Sequence, residues 1–245
     1  MKKALSILLA LAMVFCLVAC GEEGTDVPEV DPAAKSEGVM TYAEYVAAEE
    51  DTDVVIEGFV QSKQYYAEAY GNMTFTMQDA DGAYFVYRMP ATQADYDALV
   101  LGQKVKVSGV KTSWAGEVEI KEGTATYELE EGNWIAEPFD ATELLDTEEM
   151  YAHQNELGVL KGMTVTKEFQ YNWDGSGEEG GDIYFCVGKG DAEYSFLVES
   201  DLCGADTEVY QAVKALKVGD VVDLDCILYW YEGLQAWVTG VTVVE

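Results

Sequence analysis

The chain has 245 residues and carries 14 Lys and Arg against 46 Asp and Glu, a formal net charge of −32. Apolar residues make up 49% and aromatic residues 12%, too much for an intrinsically disordered acidic chain. The negative excess argues against a nucleic-acid partner, because phosphate-reading surfaces need Lys and Arg to displace counterions. A single histidine, His153, leaves little room for His-dependent catalysis or a His-ligated metal.

Lys2 and Lys3 precede an uncharged apolar run, Ala4 to Ala19. It has the length of a signal-peptide core and falls short of the ~18 residues of a spanning helix. The run ends in Leu17-Val18-Ala19-Cys20, which resembles the lipobox of bacterial lipoproteins. The resemblance implies that residues 1–19 are removed and that the Cys20 thiol carries a diacylglyceryl group. The chain would then be lipid-anchored on the extracytoplasmic face of a bacterial cell membrane. An ordinary secretory signal with an incidental cysteine is the plainer alternative. Without residues 1–19 the charge is 12 − 46 = −34. Residues 20–38 lack apolar periodicity and hold two of the four prolines, so they read as an acidic tether.

Thr41 and Glu44 form a capping-box pair that opens a short helix over 41–50. Strand character follows at Val54–Val60 and Met73–Met77, then at Ala83–Tyr87 after the turn signal Asp81-Gly82. Thr92–Val100 reads as a second helix, and strands return at Gln103–Ser108 and Val118–Ile120. The second half replays this order. It has a helix-like stretch around Asp146 and Glu149, strands at Met163–Lys167, Ile183–Val187 and Tyr194–Val198, and a helix at Thr207–Leu216. Strands at Val221–Leu228 and Ala236–Val244 end the chain. Phe75 and Phe185 match at an offset of 110, Gly102 and Gly219 at 117, which points to a duplication.

Five strands with a helix between the third and fourth is the order of an OB-fold Greek-key barrel. The segments VIEGFV at 55–60, FTMQDADGAYFVY at 75–87 and LGQKVKVSG at 101–109 resemble small OB-fold modules of bacterial secreted proteins and lipoproteins. The expected architecture is all-β with short helices: two tandem OB-fold-like barrels over 39–140 and 144–245. An SH3-like barrel or a small sandwich is the runner-up. The resemblance implies a fold and little about activity.

No P-loop, dinucleotide fingerprint or zinc spacing is present, no cofactor is implied, and an enzyme is not expected. Asp79, Asp81 and the acidic stretch 174–182 lack the order of a calcium loop and read as turn and loop chemistry. Cys226 alternates with Val222, Leu224 and Leu228 and reads as core, whereas the states of Cys186 and Cys203 stay open.

OB folds bind ligands across strands 2–3 and in the loops joining strands 1–2 and 4–5. The residues expected there are Tyr66, Trp114, Trp173, Trp230 and Tyr231, with packing of barrel ends or of one barrel on the other as the equally weighted alternative. The expected function is a membrane-anchored, non-catalytic surface module for a saccharide, peptide or protein partner. The alternatives are an accessory component of an envelope complex and a nucleic-acid-handling OB protein.

Overall fold

A computed structural model describes residues 30–244. Residues 1–29, with the signal peptide, Cys20 and the start of the tether, lie outside the described residues. No helix among the described residues is long and apolar enough to cross a membrane.

Strands β1 (Asp53–Lys63), β2 (Asn72–Gln78), β3 (Ala83–Pro90), β4 (Gln103–Trp114) and β5 (Glu117–Ile120) form the first barrel. β1 pairs antiparallel with both β2 and β4, with Ile56 opposite Val107, and β3 closes onto β5 in parallel at Phe85 and Glu119. A sixth strand, β6 (Thr126–Asn133), lies along β4, and a two-residue strand, β7 (Phe139–Asp140), leads into the second unit. There β8 (Leu157–Tyr171), β9 (Ile183–Lys189), β10 (Ala192–Val198), β11 (Val221–Ile227) and β12 (Trp237–Val244) repeat the pattern. β8 pairs with β9 and β11, and β10 meets β12 in parallel at Leu197 and Trp237. Both units therefore have the strand order of an OB barrel.

Helix α1 (Tyr42–Ala47) precedes β1, α2 (Gln93–Ala98) links β3 to β4, and α3 (Glu208–Ala215) links β10 to β11. Thr41 and Glu44 make the capping box expected of them, and Thr92 and Asp95 make a second. Lys111 is buried and its ammonium donates to the carbonyls of Tyr45, Val46 and Ala48, satisfying the end of α1. Lys35, within the expected tether, reaches back to the first barrel, where it pairs with Asp79 and donates to the Glu57 carbonyl at 2.6 Å.

Three segments differ from expectation. β6 has no counterpart among the expected strands; its Glu128 and Glu130 face Lys104 and Lys106 of β4 across the ladder. The stretch around Asp146 forms 3₁₀ turns at Thr142–Leu144 and Glu148–His153 rather than an α-helix. His153, at the end of the stretch expected to be helical, is half-buried with its ring 4.8 Å from that of Phe139.

Strand alternation supplies two apolar faces. Tyr84 and Val86 of β3 point into their own barrel, while Phe85 between them points out and Tyr87 follows it. In the second barrel Phe196 and Cys226 are core, whereas neighbouring Leu197 and Ile227 point out. The outward set, Phe85, Leu197, Ile227 and Trp237, forms a separate cluster that joins the barrels. At ~25 cal/mol per Å² of apolar surface, burying such side chains favours a docked pair over two separate barrels.

Candidate functional site

The seam cluster takes Phe85 and Tyr87 from β3 of the first barrel, and from the second Tyr184 of β9, Leu197 of β10, Ile227 of β11, Trp237 of β12 and Tyr229 of the loop between the last two. Of these, β3, β9 and β10 are strands of the kind on which OB barrels hold ligands. Beside the cluster an open groove runs in two lobes of about 280 and 560 Å³, which share Glu199, Tyr229 and Trp237 as common wall. The first lobe is bounded by Tyr65, Tyr66, Tyr70 and Tyr87, the second by Trp173, Tyr184 and Tyr231.

A backbone contact between the barrels braces the first lobe. Tyr65 N donates to the Asp201 carbonyl at 2.6 Å across the barrels. Between them Tyr229 stacks on Trp237, with centroids 4.2 Å apart and planes at 23°, and Phe85 sets its edge against both rings. A bulge between β2 and β3 re-aims Arg88, whose φ of 44° lies in the left-handed region. Its guanidinium lies 5.9 Å from the Tyr70 centroid and 4.9 Å from that of Tyr87.

Of the five aromatic residues expected at the ligand face, the fold brings Tyr66, Trp173 and Tyr231 to the groove. Trp173 is 71% exposed and Tyr231 44%. Tyr66 donates its hydroxyl to the Ala91 carbonyl at 2.9 Å, which fixes its ring as a wall. Trp114 is exposed but lies away from the groove lining. Trp230 is half-buried at the barrel contact, edge-on to Tyr151 with centroids 5.1 Å apart. Gly116 makes room for it: a Cβ there would lie 2.9 Å from Trp230 Cδ1. Trp230 is thus a packing residue, the alternative already weighed for these rings. Phe85, Tyr87, Arg88, Tyr184, Glu199 and Trp237 complete the groove and were not expected at a site. The alternation of Tyr184 with Ile183 and Phe185 was the one available signal.

The charged side chains of the groove are three acids, Asp182, Glu199 and Asp201, and one base, Arg88. Burial, reinforced by Asp182 and Asp201, pushes the Glu199 carboxyl up to about 8. Near the seam Glu119 is pushed up to about 7 by burial and Glu122, and Glu117 to about 8 by burial. Tyr184 is raised to about 12, again chiefly by burial. Among the twelve Lys and Arg of residues 30–244, Arg88 is the one that lines the groove. Lys104, Lys106, Lys121, Lys161, Lys167 and Lys214 are each paired with carboxylates elsewhere.

No family model and no curated protein matches this chain. Solved structures do. A murine DNA-binding protein bound to double-stranded DNA is similar at 12% identity and a TM-score of 0.35, over 78% of this chain and 95% of that one. The p202 HIN1 domain in complex with a 12-mer double-stranded DNA matches at 12% and 0.34, over 88% and 100%. A deletion mutant of the single-stranded DNA-binding protein from Thermus aquaticus matches at 13% and 0.27, over 79% and 94%. At these identities the likeness is one of fold. The expectation that nucleic acid is excluded as a partner is nevertheless corrected, since these similar chains are DNA binders and net charge was its sole ground. Net charge is a poor guide because screening confines fields to ~8 Å at physiological salt, so what a ligand meets is local. Locally, Arg88 stands beside exposed rings.

Proposed function

We propose that this chain is a lipid-anchored, non-catalytic binding protein of the bacterial cell surface, whose ligand lies along the aromatic groove between its two OB barrels. The observation that carries this reading is that rings from both barrels, Tyr66, Tyr70 and Tyr87 on one side and Tyr184, Tyr231 and Trp173 on the other, line one groove with Glu199 at its centre. Large rigid rings with a few fixed polar groups suit an extended saccharide or a peptide. The ligand would hold the two faces in register without any need for a nucleophile or base.

A second reading, an oligonucleotide in the same groove, is favoured by the placement of Arg88 over Tyr70 and Tyr87, since bases stack on such platforms. Array screening of the full-length protein in detergent against glycans, peptides and single-stranded oligonucleotides decides between them. The main reading expects a glycan or peptide hit that is lost in Trp173→Ala and Tyr231→Ala. An oligonucleotide hit that weakens with salt and is lost in Arg88→Ala would install the second reading instead.

A further inference from the structure

We propose that the groove selects a basic peptide, holding the ammonium or guanidinium of one Lys or Arg side chain at Glu199 between the rings of Tyr184, Tyr229 and Trp237. The inference rests on the groove being the ligand site and adds what that site selects.

Charge complementarity argues for this occupant. Glu199 belongs to both lobes, Asp201 lines the first and Asp182 the second. Among the described residues none of the three carboxylates has a Lys, Arg or His within ion-pair distance. Their donors are uncharged: Leu202 N reaches Glu199 Oε2 at 2.8 Å, and Ser200 N and Oγ reach Asp182 Oδ1 at 2.9 and 2.7 Å. The walls are ring systems, and a cation is attracted to the face of a Trp or Tyr most strongly where water is displaced. Arg88, which lines the first lobe, pairs with Glu122 at 3.5 Å rather than with any of these three; acids without a paired cation, set among rings, describe a receptor for positive charge.

Proton balance fits the same occupant. Burial keeps the Glu199 carboxyl protonated at neutral pH, so the empty groove holds no isolated charge there. An incoming ammonium makes the carboxylate the favoured form. The carboxyl proton then leaves to solvent while the ligand keeps its own. The titratable groups facing Glu199 are Asp182, Asp201, Cys203, Tyr184 and Tyr229, and Arg88 lines the same lobe. Burial raises Cys203 to about 11 and the two tyrosines further, so thiol and phenols stay neutral throughout.

The test is calorimetric titration of the full-length protein at pH 7 with a short lysine-containing peptide and with its acetyl-lysine counterpart, each in phosphate and in Tris. The lysine peptide should bind about tenfold or more tightly than the acetylated one. Its heat should differ between the buffers as a proton is released. Glu199→Gln should lose that preference while its melting temperature at pH 7 is kept or raised, because glutamine replaces a carboxyl that is already neutral. Equal binding of the two peptides, or a preference retained in Glu199→Gln, overturns the inference and leaves the groove reading standing. A neutral glycan that binds in a Trp173-dependent way does the same. If no probe binds in a manner that Trp173→Ala and Tyr231→Ala abolish, both readings fall.

Discussion

Asn155, in the connection between the barrels, donates through its side-chain amide to Oε1 of Glu117, a residue of the first barrel with no exposure to water. Trp230 N of the second barrel donates to Oε2 of the same carboxyl at 3.0 Å. One buried acid therefore ties three parts of the chain together, and among the described residues no cation pairs with it. Desolvation outweighs the two hydrogen bonds and raises its pKa to about 8.

A folded-state pKa above the unfolded value means that the group favours folding below about 4.5, and that this contribution is lost as pH rises through about 8. Glu119 and Glu199 shift the same way. The melting temperature should therefore fall between pH 5 and pH 9. Glu117→Gln should flatten that decline, since each pKa unit corresponds to about 1.4 kcal/mol. The glutamine oxygen can accept from Trp230 N, and its amide can serve Asn155 Oδ1, which has no partner. Thermal scans across this pH range check it; a melting temperature that rises with pH, or an unchanged slope in the variant, refutes the assignment. Asp140 works oppositely: Thr142 and Lys161 lower it to about 2, so its contribution is lost only in strong acid.

Lys111→Ala should destabilise the first barrel by about 2–4 kcal/mol in urea unfolding. Its ammonium serves three helix-end carbonyls at 2.7–2.9 Å, and the Tyr45 ring lies 5.2 Å away. Removing it takes their donor from the Val46 and Ala48 carbonyls, leaves that of Tyr45 with the Ala48 N–H alone, and unties α1 from β4. A loss below about 0.5 kcal/mol, the range of ordinary surface substitutions, would mean that water replaces the ammonium freely.

Trp230→Ala should cost about 2–4 kcal/mol of stability, whereas Trp173→Ala should stay within about 0.5 kcal/mol, because one ring packs at the barrel contact and the other is largely in solvent. Equal losses in chemical denaturation would contradict that division. The contrast marks what the sequence could and could not convey. Alternation at Met73–Met77 and the offset between Phe75 and Phe185 suffice for strands, duplication and the OB order. Which face of β3 meets another barrel is not a local property. Nothing in the strand pattern sets Phe85, Leu197 and Trp237 apart from core residues, yet they pack between the barrels rather than within one. Trp114 and Trp230 occupy corresponding loops, and these meet at Ala115 and Gly116, yet the two rings part company: that of Trp230 packs at the contact while that of Trp114 stays in solvent. Glu199 carries no local pattern at all, and its environment arises only when β9, β10 and the first barrel converge.

Cys20→Ala should move the protein from the membrane fraction to the soluble one. The proposed anchor is the lipid on Cys20. Acyl chains contribute about 0.8 kcal/mol per buried methylene, so one chain holds marginally and two or more hold firmly. After removal of residues 1–19 the charge is −34, which repels an anionic leaflet. No helix among the described residues is long and apolar enough to take over the anchoring. Detergent phase separation of cells expressing each form reads the result directly. Partition of the wild type into the detergent phase and of the variant into the aqueous phase supports lipidation at Cys20. Aqueous partition of both, or detergent partition of both, rules it out, and the first outcome would favour an ordinary cleaved secretory signal.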